Sequence, residues 1–364
     1  MIEKEKISSF QMAVMMFIAV LATGDLLAPA IAVRAAGIDM WLSPIWASLS
    51  GFSVVYICYR LHKLYPNETI IQYCVSILGS ILGKTAGLLI LFFLLHDVGV
   101  IIREYTDFII GHFLPKTPMI VVLGSMCLVC AFAVRGGVEA LGRLALLFVP
   151  VVVLLWVLIV ILLIPNLQLE LILPVMEKGV GPSLKGAIPL QSWYTHLFLS
   201  AFLLPSLTDQ ERGMKRGMAT VLSLIIALTV LNLTVLLLFG EVTVSLTYPV
   251  FEAVRYIRLA GFFEHLEAVV IAIWVLGGFV KISVYFYVLA LGASQWLKMN
   301  DYRPLVFPFG FMIILSGFWS ASNIQELSNF LSTIAPFYLS TFRLAIPMFL
   351  LVIAIFRKRF SGEH

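Results

Sequence analysis

Charge is what this sequence has least of. Only 12% of its 364 residues are Asp, Glu, Lys or Arg, against 61% hydrophobic, and the mean hydropathy is +1.03. A soluble domain needs far more polar surface, so this composition implies an integral membrane protein. Cysteine is scarce too: Cys58, Cys74, Cys127 and Cys130 fall in apolar runs or beside charges assigned to the cytoplasm, which argues against a disulfide framework. Cys127 and Cys130 have CxxC spacing with no second pair or histidine nearby, so they read as small packed side chains. Short alternating strands are missing, which removes a membrane barrel. No basic, aromatic-laced patch suggests nucleic acid. No metal-ligand spacing, phosphate loop or nucleophile–base constellation occurs, so neither an enzyme nor a cofactor is expected. Glu264, His265 and Glu267 cluster at an outer helix end, where surface charge and helix-dipole complementarity account for them.

What is present is a succession of long apolar runs. A helical span needs about 20 apolar residues. By that ruler the chain is a single transmembrane domain over 1–364 with about ten spans: 10–35, 40–62, 85–111, 118–134, 142–165, 187–206, 216–240, 262–292, 304–320 and 335–356. The amino end, "MIEKEKISSFQ", mixes acids with its lysines, and the first run reads as a retained span, not a cleaved signal. With the amino terminus placed inside, 15 Lys and Arg residues fall on the cytoplasmic side and 7 outside, leaving Lys281 and Arg343 within spans. The positive-inside rule therefore predicts that both termini are cytoplasmic.

The first span contains "LATGDLLAP" (21–29), which sets Gly24, Asp25 and Pro29 in the middle of its passage through lipid. All three weaken a helix, and a carboxylate is costly in hydrocarbon. The sixth span carries "SAFLLP" (200–205), which echoes "GDLLAP" (24–29) about half a chain away. Secondary transporters often consist of inverted repeats opened by discontinuous helices, with substrate bound where the breaks meet. Ten spans divide five plus five, with repeats at about 10–165 and 187–356 and broken helices one and six. This is the arrangement of the amino acid–polyamine–organocation (APC) superfamily, the LeuT fold. Unwound backbone survives only against a polar cavity or buried in protein. The expected ligand site therefore takes Ala22, Thr23, Gly24 and Asp25 from one break and Phe198, Ser200 and Ala201 from the other. The plainer alternative is a proline kink in an ordinary bundle helix, with Asp25 snorkelling outward.

Four further stretches resemble the spore germination permease family, the B subunits of nutrient germinant receptors: "VIIREYTDFIIGHFLPKTPM" (100–119), "VRGGVEALGRLALLFVP" (134–150), "LYPNETIIQYCVSILG" (64–79) and "TYPVFEAVRYIRLAGFFEHLEAVVIAIW" (247–274). The resemblance covers essentially the whole chain. It implies a ten-helix APC-like protein in the inner membrane of a bacterial endospore, sensing a small nutrient beside an A-type membrane subunit and a C-type lipoprotein. Two residues depart from the expected pattern: Asp25, where a small or apolar residue is usual, and His265, where arginine is expected. An acid at the break suits an amino-bearing ligand.

Ionisable residues inside spans complete the picture. At 100° per residue, His96, Asp97, Arg103, Glu104 and Asp107 fall at about 260°, 0°, 240°, 340° and 280°, one polar face of the third span. His96 and Asp97 are the deeper and are expected to line the cavity. Arg103, Glu104 and Asp107 are expected at the outer interface as a charge network, with Arg103 and Asp107 paired at i, i+4. His196 and Asp25 lie at comparable depths and could pair across the two breaks. Lys281, in "GGFVKISVY", is expected in the cytoplasmic half of the eighth span, either at a cation site or snorkelling. Arg343 needs a carboxylate or carbonyl partner that the sequence does not name. A ligand-sensing receptor subunit, an APC-type amino acid transporter and a simple membrane anchor share these features; the family resemblance favours the receptor.

Overall fold

A computed structural model describes residues 5–257 and 267–361; Lys4, Arg258, Glu264 and His265 lie outside the described residues, as does the side chain of Glu267. Among the described residues the regular structure is all helical, apart from an isolated parallel bridge between Ile7 and Leu207. In chain order the helices are α1 (Ser9–Gly24), α2 (Ala28–Ala36), α3 (Ser43–Leu64), α4 (Ile70–Leu78), α5 (Ser80–His112), α6 (Met119–Arg135), α7 (Gly137–Leu163) and α8 (Gly181–Tyr194). They continue with α9 (Ser200–Leu203), α10 (Gly213–Phe239), α11 (Pro249–Arg255), α12 (Glu267–Trp296), α13 (Arg303–Trp319), α14 (Ile324–Thr333), α15 (Ala335–Ser340) and α16 (Ile346–Ser361). Among the described residues, six helical stretches are long and apolar enough to cross a membrane singly, and α13 with α14, bent by 94°, makes a seventh. The chain is a multi-pass membrane protein. Of the other long apolar runs, 118–134 is the single 17-residue helix α6, and 10–35 and 187–206 are divided between shorter helices. Three short helices, α4, α11 and α14, occupy stretches that hydropathy leaves between spans.

The break in the first span falls at residues 25–27. The last regular bond of α1 runs from Asp25 N–H to Leu21 O at 3.0 Å, and Leu26 N–H then bonds Thr23 O at 3.2 Å in a tighter turn. Pro29 sits in the first turn of α2, where its missing N–H costs nothing. The carbonyl of Ala22, released from the helical ladder, accepts from the Tyr105 hydroxyl of α5 at 2.5 Å. Tyr105 reaches it by lying over Gly278 of α12, where any Cβ would stand 2.6–2.9 Å from the tyrosine ring.

The second irregular segment differs from the expectation. The helix loosens into a 3₁₀ turn at Thr195–Leu199, not at 198–202. The proline of "SAFLLP" marks only the following turn, Leu204–Ser206. The physical cause is earlier in the chain: the carbonyl of Ser192 is claimed by the Arg343 guanidinium at 2.8 Å and by the Thr195 hydroxyl at 2.9 Å. α12 packs between α1, α5, α6 and α7 and is buried on every face from Val280 to Ser294, which explains why its sequence is apolar all round.

Candidate functional site

Where the two irregular segments meet α5, α12 and the last span, the protein buries a continuous chain of polar side chains. Arg343 is 1% exposed and lies in a π-helical turn, Thr341–Ala345, which re-aims side chains relative to an α-helix. Its guanidinium holds Asp97 of α5 at 2.5 Å, the Tyr285 hydroxyl of α12 at 3.1 Å and the Ser192 carbonyl. Asp97 is therefore the carboxylate partner that the sequence left unnamed. The Tyr285 hydroxyl in turn bonds His196 Nδ1. His196 Nε2 lies 3.4 Å from Lys281 Nζ, and Lys281 donates to Thr23 Oγ1 at 2.5 Å. The Trp193 indole N–H also donates to Thr23 Oγ1, at 3.0 Å, so this hydroxyl at the end of α1 ties three elements together.

Lys281 stands halfway along the 30-residue α12 and is wholly buried. That burial rules out snorkelling. Its hydrogen-bond partners are a hydroxyl and an imidazole, and the carboxylates of Glu104, Asp97 and Asp25 act on it only through space, without a direct ion pair. A buried ammonium whose charge is not met by a direct partner is expensive.

Beside this chain lies a small cavity of about 20 Å³, lined by Thr23, His96, Asp97, Glu104, Trp193 and His196 and closed by Phe330, Leu331 and Leu339. That is room for about one water, not for an amino acid. Glu104 is 3% exposed, and its Oε1 has no hydrogen-bond partner. The cavity therefore has a carboxylate with an unsatisfied oxygen on one wall and, behind another, an ammonium that makes no direct bond to a carboxylate.

The expected site residues divide clearly. Thr23, Asp97 and His196 are brought together, with Lys281 bound to two of them. Glu104 faces the cavity instead of joining the network expected at the interface. Arg103 and Asp107 do pair, at 2.8 Å, and Arg103 also approaches the carbonyls of Gly317 and Phe318 in α13 at 3.5 and 3.4 Å. The expected Asp25–His196 pair is not made. Asp25 is buried, accepts the Trp156 indole N–H at 3.0 Å through Oδ2, and leaves Oδ1 without a partner. His196, within the 3₁₀ turn, instead meets Tyr285 and Lys281. Ala22 contributes its carbonyl to Tyr105, and Gly24 packs against Leu228 and Trp193. Ser200 lines a separate hollow of about 10 Å³ with Met12, Met16, Val55 and Tyr59. Phe198 stacks edge-on to Phe202, and Ala201 is buried; neither lines the Thr23–His196 cavity.

Tyr105, Tyr285 and Trp193 were not singled out in the sequence, where an aromatic in an apolar helix looks like packing. The helical wheel did hold one signal: Asp97 and Glu104 are about 20° apart, whereas Arg103 and Asp107 lie on a stripe about 100° away. Among the described residues no group of three or more His, Cys, Asp or Glu side chains is placed to hold a metal ion.

The architecture is that of APC/LeuT-like secondary transporters. A Na+-coupled sialic acid symporter, solved substrate-bound and outward-open, superposes with a TM-score of 0.69 at 13% identity over 97% of this chain and 80% of its own. A nucleobase-cation-symport-1 family transporter, solved in a closed conformation with bromovinylhydantoin bound, does so with a TM-score of 0.66 at 13% identity over 95% and 78%. These likenesses establish the fold. Residues 6–325 match the family model described as spore germination protein, and the chain belongs to that family. Among its relatives, spore germination protein KB of Bacillus subtilis (strain 168) is 27% identical over 366 residues, covering 98% of this chain and 96% of that protein.

Proposed function

We propose that this chain is the B subunit of a spore nutrient germinant receptor, in which a transporter-type cavity senses a small zwitterionic nutrient and signals through partner subunits. The observation that supports it most is the placing of Lys281, with no carboxylate bonded to it directly, and Glu104, with an unpartnered oxygen, around one cavity at the break of the first span. A ligand carboxylate relieves the first and a ligand ammonium the second. Since about 20 Å³ admits no amino acid, binding must move the wall formed by Phe330, Leu331 and Leu339. A ligand with higher affinity for the opened form shifts the population towards it, and that shift is the signal.

In this reading the chain makes ten crossings in a five-plus-five inverted repeat. It sits in the inner membrane of the endospore with both termini towards the core, beside an A-type membrane subunit and a C-type lipoprotein. It is not an enzyme and needs no cofactor. Two measurements test it together. Deleting the chain from its spores should abolish the response to one nutrient, and the purified chain in liposomes should bind that nutrient without exchanging it. Robust counterflow by the isolated chain would make it an APC-type transporter instead.

A further inference from the structure

A second hollow opens on the opposite side of the break, towards the membrane. It lies between α1, α7 and α10, has a volume of about 430 Å³, and is lined by Leu21, Trp156, Val157, Ile161, Ala227 and Val230 among others, with Ser223 its one polar side chain. This is the size of a small-molecule site. We propose that it binds an acyl chain of a bilayer phospholipid, and that the chain braces the Trp156 indole against Asp25.

Three observations carry this. The walls are hydrocarbon, and α7 has only 22% of its apolar window buried, the smallest share of the six crossing stretches, so its surroundings are lipid. The lips are exposed branched side chains, Ile226 and Val230 at the middle of α10 and Val157 and Ile161 in the last third of α7, with no charged group among them. The hollow also runs only from Val153 to Ile161 along α7 and from Ser223 to Leu231 along α10. That is about 12 Å at 1.5 Å per residue, too short to cradle a partner helix crossing about 30 Å of hydrocarbon. Trp156 is half-buried, with its ring edge in the hollow and its N–H on Asp25 Oδ2. An apolar chain on the ring holds that donor in place. An empty hollow lets it turn away and leaves a second oxygen of a buried carboxylate without a donor.

The test uses the full-length chain in phospholipid vesicles whose acyl chains carry mid-chain bromine, which quenches tryptophan on contact. The emission contributed by Trp156, obtained as the difference between wild type and Trp156→Phe, should be lost in brominated lipid and kept in unbrominated lipid. Filling the hollow by Ala227→Phe, or by Ser223→Phe if the first variant is poorly folded, should restore it. Unquenched Trp156 emission would overturn the proposal. So would equal quenching after the hollow is filled, which would mean contact with bulk lipid only. Quenching that disappears when the other receptor subunits are reconstituted alongside would assign the hollow to a partner helix and equally overturn it.

Discussion

Replacing Lys281 by methionine separates ligand recognition from structural support. The two side chains are similar in length and unbranched, so packing around α12 is preserved. The lost ammonium leaves few groups stranded: Thr23 Oγ1 keeps the Trp193 donor at 3.0 Å, and His196 Nδ1 keeps the Tyr285 hydroxyl. No direct ion pair is broken and the cost of burying the ammonium is removed, so membrane abundance should be maintained. If Lys281 receives the nutrient carboxylate, the variant loses a charge-assisted hydrogen bond of about 1.5–3 kcal/mol. At ~1.4 kcal/mol per decade, the half-maximal nutrient concentration should rise about ten- to a hundredfold with the maximal response retained. Arg343→Met is the contrasting case, because it strands the Asp97 carboxylate in the interior. Breaking one side of a buried pair costs about 3–5 kcal/mol, out of a total stability on the order of 5–15 kcal/mol. Abundance itself should therefore fall. Dose–response of germination and quantitative immunoblotting of spore membranes read both variants. A wild-type dose–response from well-expressed Lys281→Met would refute the assignment of the ammonium to the ligand.

Asp25→Asn retains an acceptor for the Trp156 N–H outside the cavity, so it should move the half-maximal concentration by well under the Lys281→Met shift; an equal shift would put that carboxylate on the ligand. Gly278→Ala places a methyl group 2.6–2.9 Å from the Tyr105 ring and displaces the hydroxyl that holds Ala22 O. Overpacking of this kind costs about 1–3 kcal/mol, to be seen as a lower thermal midpoint of the purified chain. Cysteine-accessibility labelling should find both termini and the turn at Gly136 between α6 and α7 on one side, the spore core side; a terminus on the other face would refute the orientation and the inverted repeat with it.

The membrane class, the positions of the apolar helices and the break at Asp25 follow from local properties. Hydrocarbon thickness sets the length of a run, and glycine, an acid and proline together cannot continue a helix there. The intramembrane charges that matter, Asp97, Glu104, His196, Lys281 and Arg343, were visible for the same reason, since each is costly where it stands. Their partnerships were not visible. Asp97 and Arg343 are 246 residues apart, and Lys281 and Thr23 are 258 apart. Which residues meet depends on helix rotation, on the π-turn at Thr341–Ala345 and on the 3₁₀ turn at Thr195–Leu199, and those turns are themselves set by long-range hydrogen bonds. Asp25 shows the division most plainly: its cost in lipid was legible from one residue and its neighbours, but tertiary packing gave it Trp156 in place of His196. A helix reports which groups need partners, and only the packing of several helices decides which partner each one finds.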